Sequence, residues 1–118
     1  MKKIICFDLD NVICKTSKSN YQNSKPIKKN INFIKVLYKK GFIIKIFTSR
    51  YMGRNNENVI KAKMNGYKFT LRQLKSWKVP FDSLIFGKPS YDFIIDDKSL
   101  YFKKNWINDL KKKLTYKY

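Results

Sequence analysis

Apolar residues in this chain fall into short continuous runs, and the stretches between them are either polar or spaced like one face of a helix. Lys3 to Phe7 (KIICF) is short, β-branched and aromatic, with no helical period, and predicts a buried strand. Asn11 to Lys28 is polar and predicts an irregular loop or small hairpin over the end of that strand. Asn30 stands as a helix N-cap before Ile31 to Lys40, where Ile31, Ile34, Leu37 and Tyr38 mark an apolar stripe, and Gly41 closes the helix. Phe42 to Phe47 (FIIKIF) predicts a second buried strand. Strand, helix and strand in this space make a right-handed βαβ unit with parallel strands.

The pattern continues beyond a polar loop at Tyr51 to Glu57. Asn58 to Trp77 predicts a helix interrupted around Gly66, with Val59, Met64, Leu71, Leu74 and Trp77 as core contacts. Val79-Pro80-Phe81-Asp82 leads into a third strand, Ser83 to Phe86, and Tyr91 to Ile95 reads as a fourth. Ser99 is a plausible cap for a final helix that buries Leu100, Trp106, Ile107 and Leu110. Lys111-Lys112-Lys113 and Leu114 to Tyr118 read as a solvated, fraying helix end. With no repeat, linker or break in composition, residues 1–118 are expected to form one domain.

The candidate chemistry sits where the predicted strands stop. Asp8 and Asp10 follow the first strand at i, i+2, a spacing that puts both on the same side of a strand. Two like charges that close repel, and one takes a proton unless a cation lies between them. The pair therefore suggests a hard divalent ion, most naturally Mg2+. A plain turn is the simpler reading of Asp-x-Asp-Asn after a strand. Thr48-Ser49-Arg50 ends the second strand, either as a turn former or as a phosphate-binding hydroxyl at the carboxyl edge of a parallel sheet. Gly87-Lys88-Pro89 follows the third strand; proline holds Lys88 extended, so it is either a solvated or an inward-pointing cation. Asp96-Asp97 follows the fourth, either as an acid pair for the site or as an N-terminal cap pair.

Composition narrows the classes. The chain has no His, which excludes His-based triads and His-ligated metals. Cys6 and Cys14 are too few to staple a small secreted fold and read as free thiols in a reducing, cytoplasmic setting, with Cys14 either a buried filler or a reactive group. The basic start at Met1-Lys2-Lys3 imitates a signal peptide, but the apolar run behind it stops at Asp8, and no segment approaches membrane-spanning length. A net charge of +19 implies attraction to anions. The excess is nearly all Lys in a chain also rich in Asn and Ile, which A/T-rich coding alone would produce, and it lacks the Arg enrichment of specific phosphate recognition.

Four strand ends carrying Asp8/Asp10, Thr48, Lys88 and Asp96/Asp97, in that order, resemble the haloacid dehalogenase superfamily of phosphotransferases. FDLDNVIC is similar to its first motif, IKIFTSR to the second, GKPSYD to the Lys-bearing third, and FIIDDKS to the acidic fourth. SRYMGRNNENVIKA and VPFDSLIFGKP look most like the small bacterial phosphatases of capsule and polysaccharide biosynthesis. The resemblance spans essentially the whole chain. It implies an α/β, Rossmann-like three-layer sandwich with a mostly parallel sheet in strand order 3-2-1-4. It also implies that no cap domain is present, because Asn11 to Pro26 is too short for one and Arg50 to Phe86 is consumed by assigned elements.

The implied mechanism follows the motifs. Asp8 attacks phosphorus to form an aspartyl-phosphate, and Asp10 first protonates the leaving oxygen, then deprotonates water. Thr48 and Lys88 bind the phosphoryl group, helped by the backbone N–H groups of Leu9 and Ser49. Mg2+ is held by Asp8, the Asp10 carbonyl and an acid of the fourth motif, Asp97 in preference to Asp96. Arg50 and Arg54 are candidates for substrate anions, with simple surface charge as the alternative. The expected activity is hydrolysis of a sugar phosphate in surface-polysaccharide synthesis. Removal of terminal phosphates from polynucleotides is the alternative, and a catalytically silent binding module the third. An open, capless site is expected to be covered by a large substrate or by a second copy in a homo-oligomer.

Overall fold

In the computed structural model residues 3–114 are described. Ile4–Asp8 forms β1, Ile43–Thr48 β4 and Ser83–Phe86 β5, with the short pair β2 (Cys14–Lys15) and β3 (Lys25–Pro26) between β1 and α1 (Lys28–Lys39). Helix α2 spans Val59–Ser76 and α3 spans Trp106–Lys113. β1 pairs in parallel with β4, from Ile4 opposite Ile43 to Asp8 opposite Phe47, and β4 pairs in parallel with β5, from Lys45 opposite Ser83 to Thr48 opposite Phe86. The sheet order is β1-β4-β5, so all three carboxyl ends lie on one edge. Parallel strands need a crossover to return the chain, and α1 and α2 supply one each.

The helices form where the periodicity and caps agree. Asn58 accepts a hydrogen bond from the Lys61 N–H, which caps α2. Gly41, at φ 94°, ends α1 in a Schellman turn: its N–H reaches the Tyr38 carbonyl and the Phe42 N–H the Leu37 carbonyl. The core runs through Phe7, Ile34, Leu37, Ile44, Ile46 and Leu74. Trp106 anchors α3 to it with its ring edge-on to Phe7 and Phe33, at centroid distances of 5.9 and 5.7 Å.

Several sequence expectations change here. Asn30 is inside α1 rather than capping it: it is buried, donates to the Val12 carbonyl and accepts from the Trp106 indole N–H. This one amide ties the first loop, α1 and α3 together. Helix α2 runs unbroken through Gly66, and the glycine is there because the Tyr51 ring lies against that position and leaves no room for a Cβ. Val59 and Met64 are exposed rather than core, as is Tyr38 in part.

The fourth predicted strand is not formed. Tyr91–Ile95 has no ladder partner, and Phe93 and Ile95 are 90% and 99% exposed. The chain leaving β5 is instead tethered beside the start of α2, where Glu57 accepts from the N–H and the hydroxyl of Ser90. The final helix begins at Trp106, later than a Ser99 cap would start it. Asp96 accepts from the Lys98 N–H, and Ser99 donates back to the Asp96 carbonyl, a local turn that competes with helix. The expectations for Met1-Lys2 and for the tail Thr115–Tyr118 lie outside the described residues.

Among the described residues no helix is long and apolar enough to cross a membrane. The first crossover carries the β2–β3 pair with a 3-10 turn at Tyr21–Asn23 between its strands, and the second a 3-10 turn at Gly53–Asn55.

Candidate active site

Asp8 is the last residue of β1, Thr48 the last of β4, and Lys88 follows β5 by two residues. Parallel pairing therefore delivers all three to one end of the sheet, where open α/β sheets place their ligand sites. The Lys88 N–H extends the β4–β5 ladder by donating to the Thr48 carbonyl at 3.1 Å. Its side chain then crosses the sheet edge to bring Nζ within 3.3 Å of Asp8 Oδ2. The other Asp8 oxygen accepts from the Leu9 N–H at 2.8 Å, which fixes the carboxylate's rotation. A pocket of about 280 Å3 opens over this pair, lined by Asp8, Ser49, Lys88, Pro89, Ser90 and Tyr91.

The electrostatics of the pair are asymmetric. Burial pushes the Asp8 carboxyl above the ordinary carboxylate range, with the Asp10 charge adding to it, against the pull of Lys88 and the Leu9 N–H. Burial works to lower Lys88, but the Tyr91 side-chain hydrogen bond and the Asp8 carboxylate outweigh it and raise the ammonium's pKa. The pocket thus holds a firmly charged lysine beside an under-solvated carboxylate, an arrangement that favours an incoming anion at the lysine.

Asp10 lies at the turn out of β1. Leu9, fully buried, accepts at its carbonyl from the N–H groups of Val12, Ile13 and Cys14, and Asn11 takes φ 67°, a conformation Asn tolerates. This tight turn points the Asp10 carboxylate inward. There it accepts from Thr16 Oγ1 and from the guanidinium of Arg50, whose Nη2 stands 2.8 Å from Oδ1 and whose Nε stands 2.9 Å from Oδ2.

Arg50 is therefore a correction to the sequence expectation. It is 1% exposed and faces Asp10 rather than the pocket. Thr48 is fully buried beneath it and accepts from the Arg50 backbone N–H at 3.1 Å. Arg54 lies outside the pocket lining as well. Its guanidinium sits over the rings of Tyr51 and Tyr21, at 4.7 and 5.2 Å, and donates to the Ser19 carbonyl. Cys14 is a buried thiol packed by Asp10 and Thr16, and burial raises its pKa, which suits the filler reading over the reactive one.

Of the expected site residues, Asp8, Leu9, Asp10, Thr48, Ser49 and Lys88 meet at one edge. Asp96 and Asp97 do not join them; both are exposed, in the segment without regular structure. As placed, the acids do not fit a divalent cation: no group of three or more candidate ligand side chains converges among the described residues. Sequence reading missed Thr16, Ser24 and Gln73, which surround the Asp10–Arg50 pair, and Glu57, which holds Ser90. Polar residues in loops or on a helix flank carry no periodic signal, so only the fold brings them into view.

No family model matches the chain, and no curated protein matches it. Among solved structures the chain is similar to the crystal structure of a structural-genomics target from Vibrio cholerae. The two share 28% identity at a TM-score of 0.78, over 94% of this chain and 98% of that one.

Proposed function

We propose that this chain is a phosphomonoester hydrolase of the haloacid dehalogenase type, acting through an aspartyl-phosphate on Asp8. The observation that carries the reading is the Asp8–Lys88 pair at the carboxyl end of a parallel sheet, beneath a pocket edged by Ser49. Lys88 Nζ attracts the phosphate dianion and neutralises charge on the transferring oxygens, while Asp8, held by the Leu9 N–H, presents an oxygen to phosphorus. That oxygen bonds phosphorus as the ester P–O bond breaks, and Asp10 supplies the proton to the departing alkoxide. Water then attacks phosphorus, Asp10 takes its proton, and cleavage of the Asp8–phosphorus bond releases inorganic phosphate.

A finer fold belongs to this reading. β1 has β4 as its one ladder partner among the described strands, and the unpaired apolar run Tyr91–Ile95 has the length to lie along its other edge. Docked there it would give the strand order 3-2-1-4 and carry Asp96 and Asp97 toward Asp8 and Asp10. Mg2+ would supply the charge that holds these acids together, with Asp97 favoured over Asp96 as the ligand.

The substrate we favour is a sugar phosphate of surface-polysaccharide synthesis, in the cytoplasm, where the unpaired Cys6 and Cys14 would stay reduced. The open pocket needs cover from the substrate itself or from a second copy of the chain. The net charge of +19 favours a second reading, a polynucleotide end phosphatase.

Phosphate release from sugar phosphates, nucleotides and 3′- or 5′-phosphorylated oligonucleotides, with Mg2+ and with chelator, tests the proposal. Release from one sugar phosphate, abolished by chelator and with a shallow salt dependence, is the expected result. Preference for oligonucleotide ends with a steep salt slope selects the second reading. No release from any class would mean a silent binding module and overturn the proposal.

A further inference from the structure

We infer that Arg50 is a positioning residue for Asp10: it holds the proton-transfer carboxylate in one orientation and takes no direct part in binding substrate. The inference rests on the phosphatase reading above and concerns how its acid–base group is held.

A guanidinium has five N–H donors in a fixed fork. In Arg50, Nε lies 3.2 and 2.9 Å from the two Asp10 oxygens. Nη2 faces Asp10 Oδ1 at 2.8 Å, with Ser24 Oγ at 3.4 Å and Cys14 Sγ at 3.7 Å around it. Nη1 donates to Gln73 Oε1 at 2.7 Å, with Thr70 Oγ1 at 3.4 Å. The face of the group is covered by the Tyr21 ring at 4.6 Å. Every edge of the cation is engaged, its side chain is fully buried, and it is absent from the pocket lining. A substrate anion cannot reach it without dismantling the cluster.

The same cluster decides what Asp10 can do. Oδ1 accepts from Arg50 and Thr16 and lies 3.5 Å from Cys14 Sγ, so its lone pairs are committed. Oδ2 has one donor, Arg50 Nε, and keeps a lone pair for a proton. Arg50 thereby sorts the two oxygens, one structural and one for proton transfer. It is itself fixed from α2, through Gln73 and Thr70, and from the first loop, through Ser24 and Tyr21. Gln73 locks both sides, since its Nε2 also donates to the Tyr21 carbonyl at 2.8 Å. A lysine could replace the charge but not the fork.

The test compares kcat and KM of Arg50→Lys and Gln73→Leu with wild type, on whichever phosphate ester the wild type hydrolyses best, with Mg2+. General acid–base groups contribute about 10²–10⁴-fold, so misplacing one is expected to lower kcat by about 10–100-fold in Arg50→Lys and less in Gln73→Leu. KM should stay within about threefold. In an Asp10→Asn background, Arg50→Lys should cost little more, because the group it positions is already gone. Gln73→Leu keeps the inference testable if Arg50→Lys does not fold, since it loosens the fork without emptying the site. A rise in KM at unchanged kcat, or full additivity with Asp10→Asn, would overturn the positioning role while leaving the phosphatase reading intact. A wild type that hydrolyses no phosphate ester overturns both.

Discussion

The two ends of the candidate site are built differently. Around Asp10 every polar group is cross-linked: Arg50, Thr16, Ser24, Gln73 and Tyr21 come from two loops and a helix and share one buried cation. Around Asp96 and Asp97 the contacts are local, between near neighbours in sequence, while Phe93 and Ile95 stand in solvent. The first region holds its geometry through side chains that satisfy one another. The second leaves its apolar side chains in solvent and is tied back to the fold at Ser90, through Glu57. One end of the site is a cross-linked cluster and the other an exposed segment.

The largest break of that comparison is at Asp8. Asp8→Asn should reduce turnover on the order of 10⁴-fold or more, read as phosphate release, while the fold persists. It should also raise thermal stability at neutral pH. The folded-state pKa of Asp8 is raised by burial, so between the ordinary value near ~3.9 and that raised value the folded chain binds more protons than the unfolded one. Stability therefore falls as pH rises through this window, and the penalty persists above it. Asn removes the penalty, so the gain in Tm should be present at pH 7 and vanish below about pH 3.

Next in size is Arg50→Ala. It leaves Asp10 with the Thr16 hydroxyl and the weak Cys14 thiol donor in place of a buried cation, and breaking a buried pair costs about 3–5 kcal/mol, measurable by urea denaturation. Gly66→Ala comes third. The added methyl group collides with the Tyr51 ring, itself packed against Tyr21 and Arg54, and the overpacking should cost about 1–3 kcal/mol.

The smallest effect is expected at Ile95. Ile95→Thr alters a side chain that is 99% exposed, so without Mg2+ stability should stay within about 0.5 kcal/mol of wild type. With Mg2+ the variant should fall behind, seen as a weaker Mg2+-dependent rise in Tm, because docking along β1 would bury that residue. An equal rise in both proteins would remove the docked strand from the account.

Legibility in the sequence follows the same division. KIICF, FIIKIF and the run before Gly87 were readable as strands from their short, β-branched and aromatic runs, but β1 is not the buried strand expected: only Phe7 is buried in it, while Ile4 and Cys6 are exposed. YDFII has the same composition but lacks a partner in the observed fold, and composition cannot report a partner. Asp8, Thr48 and Lys88 were legible as strand-end residues once the strands were placed. Arg50 was not: an arginine in a basic chain looks like surface charge, and its burial depends on Thr70 and Gln73, on a helix flank 20 and 23 residues away in sequence. Asn30 failed in the same way, since an amide before an apolar stripe resembles a cap until Val12 and Trp106 are seen to meet it.

The proposed reaction requires a covalent phosphoryl group on Asp8. Its most direct test uses Asp10→Asn with an aryl phosphate, whose leaving group needs no proton, in the presence of Mg2+. The account predicts a burst of one equivalent of phenolate followed by arrest, with a phosphoryl group found by mass spectrometry on the peptide containing Asp8. Steady turnover with no burst, or a phosphoryl group on any other residue, would contradict it.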